Sequence, residues 1–293
     1  MGWRRRTLII PNAGEVRVSR RGSVRMLSIL LASLAPKTRV LWIGAGVPGR
    51  NSIWAQPYRL VARRAKLATF RDVASAELLG RGSVTPDWAF ALGTNVENWT
   101  PAEGREKIAL VLRGDRSRPS EDWLEWVRGL AKSHSLDPVV VAQVRRDNEL
   151  AASLAEELNG QALLFEHDTP HSRQESLVRE VYRQSSFVVG DRLHGLVVAA
   201  TEGAIPIGWV ESSSGKIKRH FDAIEMAYVG QFEGKDASIL PDITEQDLDG
   251  WRLELRSRIS QARSAIDSTL IAADEVAGRS PEALLYDGTL TDG

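Results

Sequence analysis

No cysteine occurs among the 293 residues. Disulfides, cysteine-ligated zinc and a thiol nucleophile are therefore excluded, and the composition fits a reducing compartment. Net charge is lacking too, because 38 Lys and Arg balance 38 Asp and Glu. A globally basic surface, the electrostatic footprint of a nucleic-acid binder, is missing, so no nucleic-acid partner is expected. No apolar run reaches the roughly 18 residues of a spanning helix. The stretch Met26 to Ala35 (MLSILLASLA) has the apolar character of a secretory signal, but it begins well inside the chain without a convincing cleavage site. It reads as a buried helix, and the chain is expected in the cytoplasm. Short-period repeats and low-complexity segments are absent as well. What remains is an ordinary globular composition, 43% hydrophobic and 26% charged, with length enough for two domains.

The balanced charge is unevenly spread. Residues 1–71 are rich in arginine, with Arg4, Arg5, Arg6, Arg17, Arg20, Arg21, Arg25, Arg63 and Arg64, while the end of the chain is acidic. Such asymmetry fits an anionic substrate or peripheral contact with the inner face of a membrane. Two solvated faces are the commoner cause. Nine tryptophans are many for this length; Trp123 and Trp126, three apart on a helix, point to packing rather than to a ligand cage.

The apolar pattern alternates short β-rich runs with longer helical stretches, which predicts an α/β chain with parallel sheets covered by helices. In the first half, strands are expected at 7–10, 40–43 and 68–70 and helices at 23–35, 54–66 and 73–79. Asp72 is placed to cap the third helix. Polar residues 93–105 read as a linker, dividing the chain into domains 1–95 and 105–285, each Rossmann-like. In the second, strands are expected at 107–112, 138–144, 162–165, 187–189 and 205–210. Helices follow at 120–131, 147–158 (capped by Asp147), 173–184, 194–201 and 216–224. Residues 244–277 form a long amphipathic helical region, read as bent or divided.

Chemistry concentrates at Phe187-Val188-Val189-Gly190-Asp191-Arg192-Leu193-His194-Gly195. An apolar strand ends, a glycine turn follows and a helix begins. Ligands of open α/β sheets bind beyond the carboxyl ends of the strands. There the starting helix offers unpaired amide hydrogens and partial positive charge. Arg192 adds a fork-shaped cation suited to carboxylate or phosphate, and His194 a group able to move a proton near neutrality. Downstream, Gly203 to Trp209 and then Glu211-Ser212-Ser213-Ser214-Gly215-Lys216 give a second strand end with a Ser/Gly turn, a lysine and a helix. Two neighbouring strand ends thus present anion-binding chemistry.

This segment, FVVGDRLHGLVVAATEGAIPIGWVESSSGKIKRHFDAI, resembles the C-terminal signature of the polysaccharide pyruvyl transferase family. Its pattern is Arg-Leu-His, an apolar helix, Gly-x-Pro, a strand and a lysine a few residues on. Weaker blocks agree in order: Phe70-Arg71-Asp72-Val73-Ala74-Ser75, Pro86-Asp87-Trp88-Ala89-Phe90, and the strand Ile108 to Arg113. The resemblance spans roughly residues 40–225. It implies a glycosyltransferase-B-like fold, phosphoenolpyruvate as donor, no cofactor and no metal. The product would be a ketal-linked pyruvate on a sugar or lipid-linked glycan of the cell surface. On this pattern His194 and Arg192 are the catalytic pair. Arg192 and the amides near Leu193 hold the donor after the Gly190 turn. Arg113, and less favourably Arg71, supply a second cation, and Ser214 and Lys216 sit where phosphate is held.

The N-terminal half is short for the family. The Gly-Asn-x-Gly-Asp type loop that members carry after the first strand is missing, and Asn12-Ala13-Gly14-Glu15 is a faint echo of it. Two other functions stay open on the sequence: a nucleotide-sugar glycosyltransferase of the same fold, and a non-catalytic scaffold of a glycan-assembly system. Two rival chemistries fare worse. Gly44-Ala45-Gly46-Val47-Pro48-Gly49 mimics a dinucleotide fingerprint, but Pro48 opposes a helix start in the usual register. His167 and His171 have metal-like spacing, but Pro170 breaks a helix across them, so a solvated loop is expected.

Overall fold

The computed structural model describes residues 7–49, 51–210, 215–226, 229, 232–233 and 242–278. Two compact units form. One comprises the chain up to Trp88 and from Ala262 onward, and the other runs from Ala89 to Gln261. The division thus falls a few residues before the polar linker. A difference from the expected 105–285 domain lies at the far end, where the second half of the last helix groups with the first unit.

The first unit carries a four-stranded parallel sheet, β1 (Thr7–Ile9), β2 (Thr38–Ala45), β3 (Leu67–Phe70) and β4 (Ser83–Val84), in that order. Between the strands run α1 (Arg20–Ala32), α2 (Gln56–Arg64) and α3 (Val73–Leu79). Ser19 caps α1 by accepting from the Gly22 amide, so this helix starts three residues earlier than its apolar pattern suggests. Asp72 caps α3 as expected, accepting from the Ser75 amide at 2.8 Å. The core is built on Trp42, Tyr58 and Phe70, with Trp42 edge-on to Phe70 at 5.4 Å between ring centroids. Helix α1 turns only one side to that core. Met26 is buried, while Val24, Leu27 and Leu31 are exposed, so the helix is not buried all round as its composition suggested.

The glycines at the end of β2 serve packing. Gly44 has φ +71°, and a Cβ there would meet the Trp88 indole nitrogen at 1.9 Å. A Cβ on Gly46 would meet the Arg71 guanidinium at 2.3 Å. The next element is a 3-10 turn at Ile53–Ala55 and not a phosphate-binding helix start, in keeping with the objection raised by Pro48.

The second unit holds a six-stranded sheet: β5 (Lys107–Val111), β6 (Asp137–Val141), β7 (Gln161–Leu163), β8 (Ser185–Gly190), β9 (Ile205–Val210) and β10 (Phe232–Glu233). All pairs are parallel, and the spatial order is β7-β6-β5-β8-β9-β10. Numbered within the unit this is the 3-2-1-4-5-6 order of a dinucleotide-type doubly wound sheet, whose winding reverses between β5 and β8. Helices α4 (Glu121–Ser133), α5 (Asn148–Glu157), α6 (His171–Arg183), α7 (Leu193–Thr201) and α8 (Lys216–Asp222) connect the strands. Helices cover both faces of the parallel sheets. Trp123, 1% exposed, packs on Trp209 and Trp126, which makes the tryptophan pair a core feature. Helix α9 (Glu245–Ala277) is one continuous helix of 33 residues rather than a divided region. It holds no proline, and Thr244 and Asp247 close its start by reciprocal hydrogen bonds. Among the described residues no helix is long and apolar enough to cross a membrane.

Candidate functional site

The reversal between β5 and β8 opens a crevice at the carboxyl ends of the strands, and a cleft of about 530 Å³ lies there, lined wholly by residues of the second unit. The ends of five strands contribute. Arg113 follows β5, Gln143 and Val144 follow β6, and Phe165 follows β7. Asp191, Arg192, Leu193 and His194 follow β8, and Lys216 follows β9. Strands β8 and β5 meet closely because Gly190 has no side chain; a Cβ there would stand 2.0 Å from the Val111 carbonyl oxygen. Gly195 lets the first turn of α7 sit down on the end of β5, since a Cβ would meet both Val111 methyls within 2.9 Å.

Helix α7 begins inside the cleft. Arg192 is its N-cap residue, and no side-chain oxygen caps it. The positive end of the helix dipole therefore faces the cleft. Leu193 is buried at the first helical position, and His194 is exposed at the second.

Arg192 is held by Asp147. Its Nε donates to Oδ2 and its Nη2 to Oδ1, both at 2.5 Å, and the carboxylate is 1% exposed. Asp147 Oδ1 also accepts the Gly114 amide at 2.9 Å. The carboxylate read from sequence as a cap of α5 does not cap it. It is drawn instead to the arginine, where a charge-assisted bidentate pair is stronger than a cap. Three of the five guanidinium N–H donors lie outside this pair.

Other cations are held in the same manner. Arg113 pairs with Asp115 through two 2.8 Å bonds, and its backbone amide donates to Asp191. Arg116 pairs with Asp191 at 3.3 Å. Arg179 pairs with Glu202 at 2.7 Å and with Glu175. Lys216 starts α8 after Gly215, whose φ is +56°. Asp115, Asp147 and Glu202 do not line the cleft, whereas the cations they hold do. Each pair is close to neutral, so the cleft presents directed N–H groups rather than bulk charge.

Burial pushes the Asp191 carboxyl above its ordinary 3.8, against the pull of Arg116, Arg113 and Arg192. Its folded-state affinity for a proton thus exceeds the unfolded one. The penalty is absent below the unfolded pKa, grows as pH rises through the carboxylate range, and is complete above the folded pKa. Asp191→Asn retains an acceptor for the Arg113 amide and removes the charge. The stability difference between variant and wild type should therefore shift in the variant's favour as pH rises from 3 to 7. Urea midpoints across that range check this, and a shift of opposite sign would show that the arginines outweigh burial.

Of the residues singled out in the sequence, Arg113, Arg192, Leu193, His194 and Lys216 line the same cleft, while Gly190 lets β8 close on β5 just before it. Ser214 lies outside the described residues. Arg71 does not join them. It belongs to the first unit, 6% exposed, ion-paired with Glu15 and Asp87 at 3.2 Å each. The faint loop echo at Asn12 to Glu15 thus supplies one of its partners. Missed by the sequence reading were Gln143, Arg116, Gln174, Arg179 and His171. His171 does not sit in a solvated loop; Pro170 is the N-cap of α6, and the imidazole packs edge-on to Phe165 at 5.1 Å in the cleft wall. His167 is 91% exposed beside Asp168. Among the described residues no group of three or more His, Asp or Glu is arranged to hold a metal ion.

Several solved structures share features of this chain at low similarity. The GtfA/B complex bound to UDP and GlcNAc is 12% identical, with 87% of this chain and 56% of that one covered and a TM-score of 0.43. A glycosylation-associate protein complex from Streptococcus agalactiae is 11% identical, with 94% and 53% covered and a TM-score of 0.47. The E. coli heptosyltransferase WaaC with ADP is 14% identical, with 87% and 100% covered and a TM-score of 0.34. The chain spans about half the length of the first two. No curated protein matches the sequence. A family profile, polysaccharide pyruvyl transferase, matches residues 4–204, a span that includes Arg113, Asp147, Arg192 and His194, and the chain belongs to that family.

Proposed function

We propose that the chain transfers the pyruvyl group of phosphoenolpyruvate to a pair of hydroxyls on a sugar of a cell-surface glycan. The observation that carries this reading is the pairing of Arg192 and His194 at the uncapped start of α7, within a cleft whose other strand ends bring Arg113 and Lys216. Phosphoenolpyruvate bears a carboxylate and a phosphate, and such a cleft offers two kinds of anion subsite, guanidinium forks and helix starts.

In the proposed reaction one sugar hydroxyl adds to the enol carbon and gives up its proton to the solvent in the cleft, while a proton is delivered to the methylene carbon, which becomes a methyl group; one proton is lost and one gained. The second hydroxyl then displaces phosphate from the same carbon and closes the ketal, its proton leaving with the phosphate. His194, exposed to the cleft, is the group we assign to proton delivery. Arg192 and the amides of the first turn hold one anionic group of the donor, and Arg113 and Lys216 hold the other. This chemistry runs on the chain's own side chains, and no cofactor is part of the proposal.

Calorimetry with phosphoenolpyruvate tests the donor. Wild type should bind, and Arg192→Ala should bind about tenfold to a hundredfold more weakly, the loss expected for one or two charge-assisted hydrogen bonds. Wild type that ignores phosphoenolpyruvate but takes a nucleotide sugar would make the chain a glycosyltransferase. Binding of neither would leave a scaffold role.

A further inference from the structure

The first unit carries a surface that its fold does not use. From Val16 to Arg71 the sequence contains no Asp or Glu, so every charged side chain in that stretch is basic. Helix α1 lies in this stretch, with Arg21 and Arg25 exposed on its first two turns. On the same helix Val24, Leu27 and Leu31 are 59%, 44% and 68% exposed. Their spacing of three and four residues puts them on one side, away from the buried Met26. The neighbouring 3-10 turn carries exposed apolar side chains of its own. Ser23 donates to the Trp54 carbonyl at 2.6 Å, which fixes that turn against α1, and Ile53 and Trp54 are 75% and 44% exposed.

Isolated exposed leucines need no explanation, but three exposed apolar residues on one side of a helix, hydrogen-bonded to a turn with an exposed tryptophan, mark a contact surface. We infer that this face of α1 with the Ile53–Trp54 turn docks on the surface of an anionic lipid bilayer. Helix α1 would lie flat, its leucines and Trp54 among the acyl-chain ends and its arginines on the phosphates. A helix that lies in the interface needs an apolar side, flanking basic residues and an aromatic at headgroup level, and all three are present. Two other occupants fit less well. In a two-fold contact between copies, the same arginines of both chains would be brought together without an acid in the stretch to offset them. A nucleic acid would use the arginines and leave the leucines in water. The inference is independent of the donor assigned to the second unit.

The test is flotation of the purified full chain with vesicles of phosphatidylcholine, with and without phosphatidylglycerol. Binding is expected only where the anionic lipid is present, and should weaken with added salt. Two sets of substitutions separate the contributions. Arg21→Glu with Arg25→Glu should weaken binding on the order of tenfold to a hundredfold, at roughly one kcal/mol per lost cation and more for reversal. Leu27→Gln with Leu31→Gln should weaken it comparably, while circular dichroism and thermal unfolding stay unchanged because both leucines are exposed and glutamine is a good helix former. Failure of wild type to float with anionic vesicles overturns the inference. So does binding that responds to the arginines but not to the leucines and is matched by duplex DNA, which would make the face a general polyanion surface. Sedimentation showing a dimer that the leucine pair abolishes would make it a self-interface, and would overturn the inference as well.

Discussion

Replacing Asp147 with alanine is expected to destabilise the second unit by about 3 kcal/mol and to weaken phosphoenolpyruvate binding as much as loss of Arg192 itself. Two costs add. The Gly114 amide loses its acceptor, and Arg192 loses the carboxylate that holds both its Nε and its Nη2. Breaking a fully buried pair costs about 3–5 kcal/mol. The guanidinium here stays 13% exposed at the cleft and can take up water, so the lower end of that range applies. Asp147→Asn is milder. It keeps an acceptor for Gly114, but its amide nitrogen must face the arginine's donors, so roughly half the effect is expected. Urea unfolding followed through the buried Trp123 and Trp209 reads the stability, and calorimetry reads the donor. A stability change below about 0.5 kcal/mol would put the Asp147 pair among ordinary surface contacts. Full destabilisation with unaltered affinity would show that Asp147 supports the fold without positioning Arg192 for a ligand.

The case of Asp147 also shows what a sequence conveys about such a site. An aspartate directly before a helical stretch has the local signature of a cap, and Asp72 fulfils it. Asp147 has the same signature, yet its partner lies 45 residues away at the start of α7, beyond a strand that is not even a neighbour of β6 in the sheet. Nothing local distinguishes the two. The strand-helix alternation, the glycine turn and the Arg-Leu-His group were legible because they depend on neighbours in the chain. The order β7-β6-β5-β8-β9-β10 was not, since it is set by which strands pair. It is this order that brings Gln143, Arg116 and the start of α6 to the same rim. Placing every strand's carboxyl end on one edge would have pointed to Gln143 and Phe165 from the sequence alone. Arg71 illustrates the converse. Like Arg192, it stands between a strand end and a helix start, but Glu15, 56 residues earlier, and Asp87 enclose it within the first unit.

His194→Ala is expected to leave the fold and donor binding nearly intact while lowering kcat about a hundredfold to ten-thousandfold, the range for loss of a positioned proton donor. The contrast with Arg192 follows from placement. His194 is exposed at the second position of α7, on the cleft side of a helix whose buried residues are Leu196, Val197, Ala199 and Ala200. Removing an exposed imidazole leaves no cavity, so stability should change by no more than about 0.5 kcal/mol. Phosphoenolpyruvate affinity should stay within about threefold, since the guanidinium and the first-turn amides remain and the imidazole is assigned to the proton rather than to the anion. The readout is phosphate release from phosphoenolpyruvate with an acceptor sugar found by screening, with kcat and KM resolved separately. Equal losses in kcat and kcat/KM would place the contribution of His194 in the transition state, as proton delivery requires. A raised KM with unchanged kcat would make the imidazole a binding group and pass the proton to another cleft residue. His171, which lines the same cleft beside Phe165, is a side chain able to take that role.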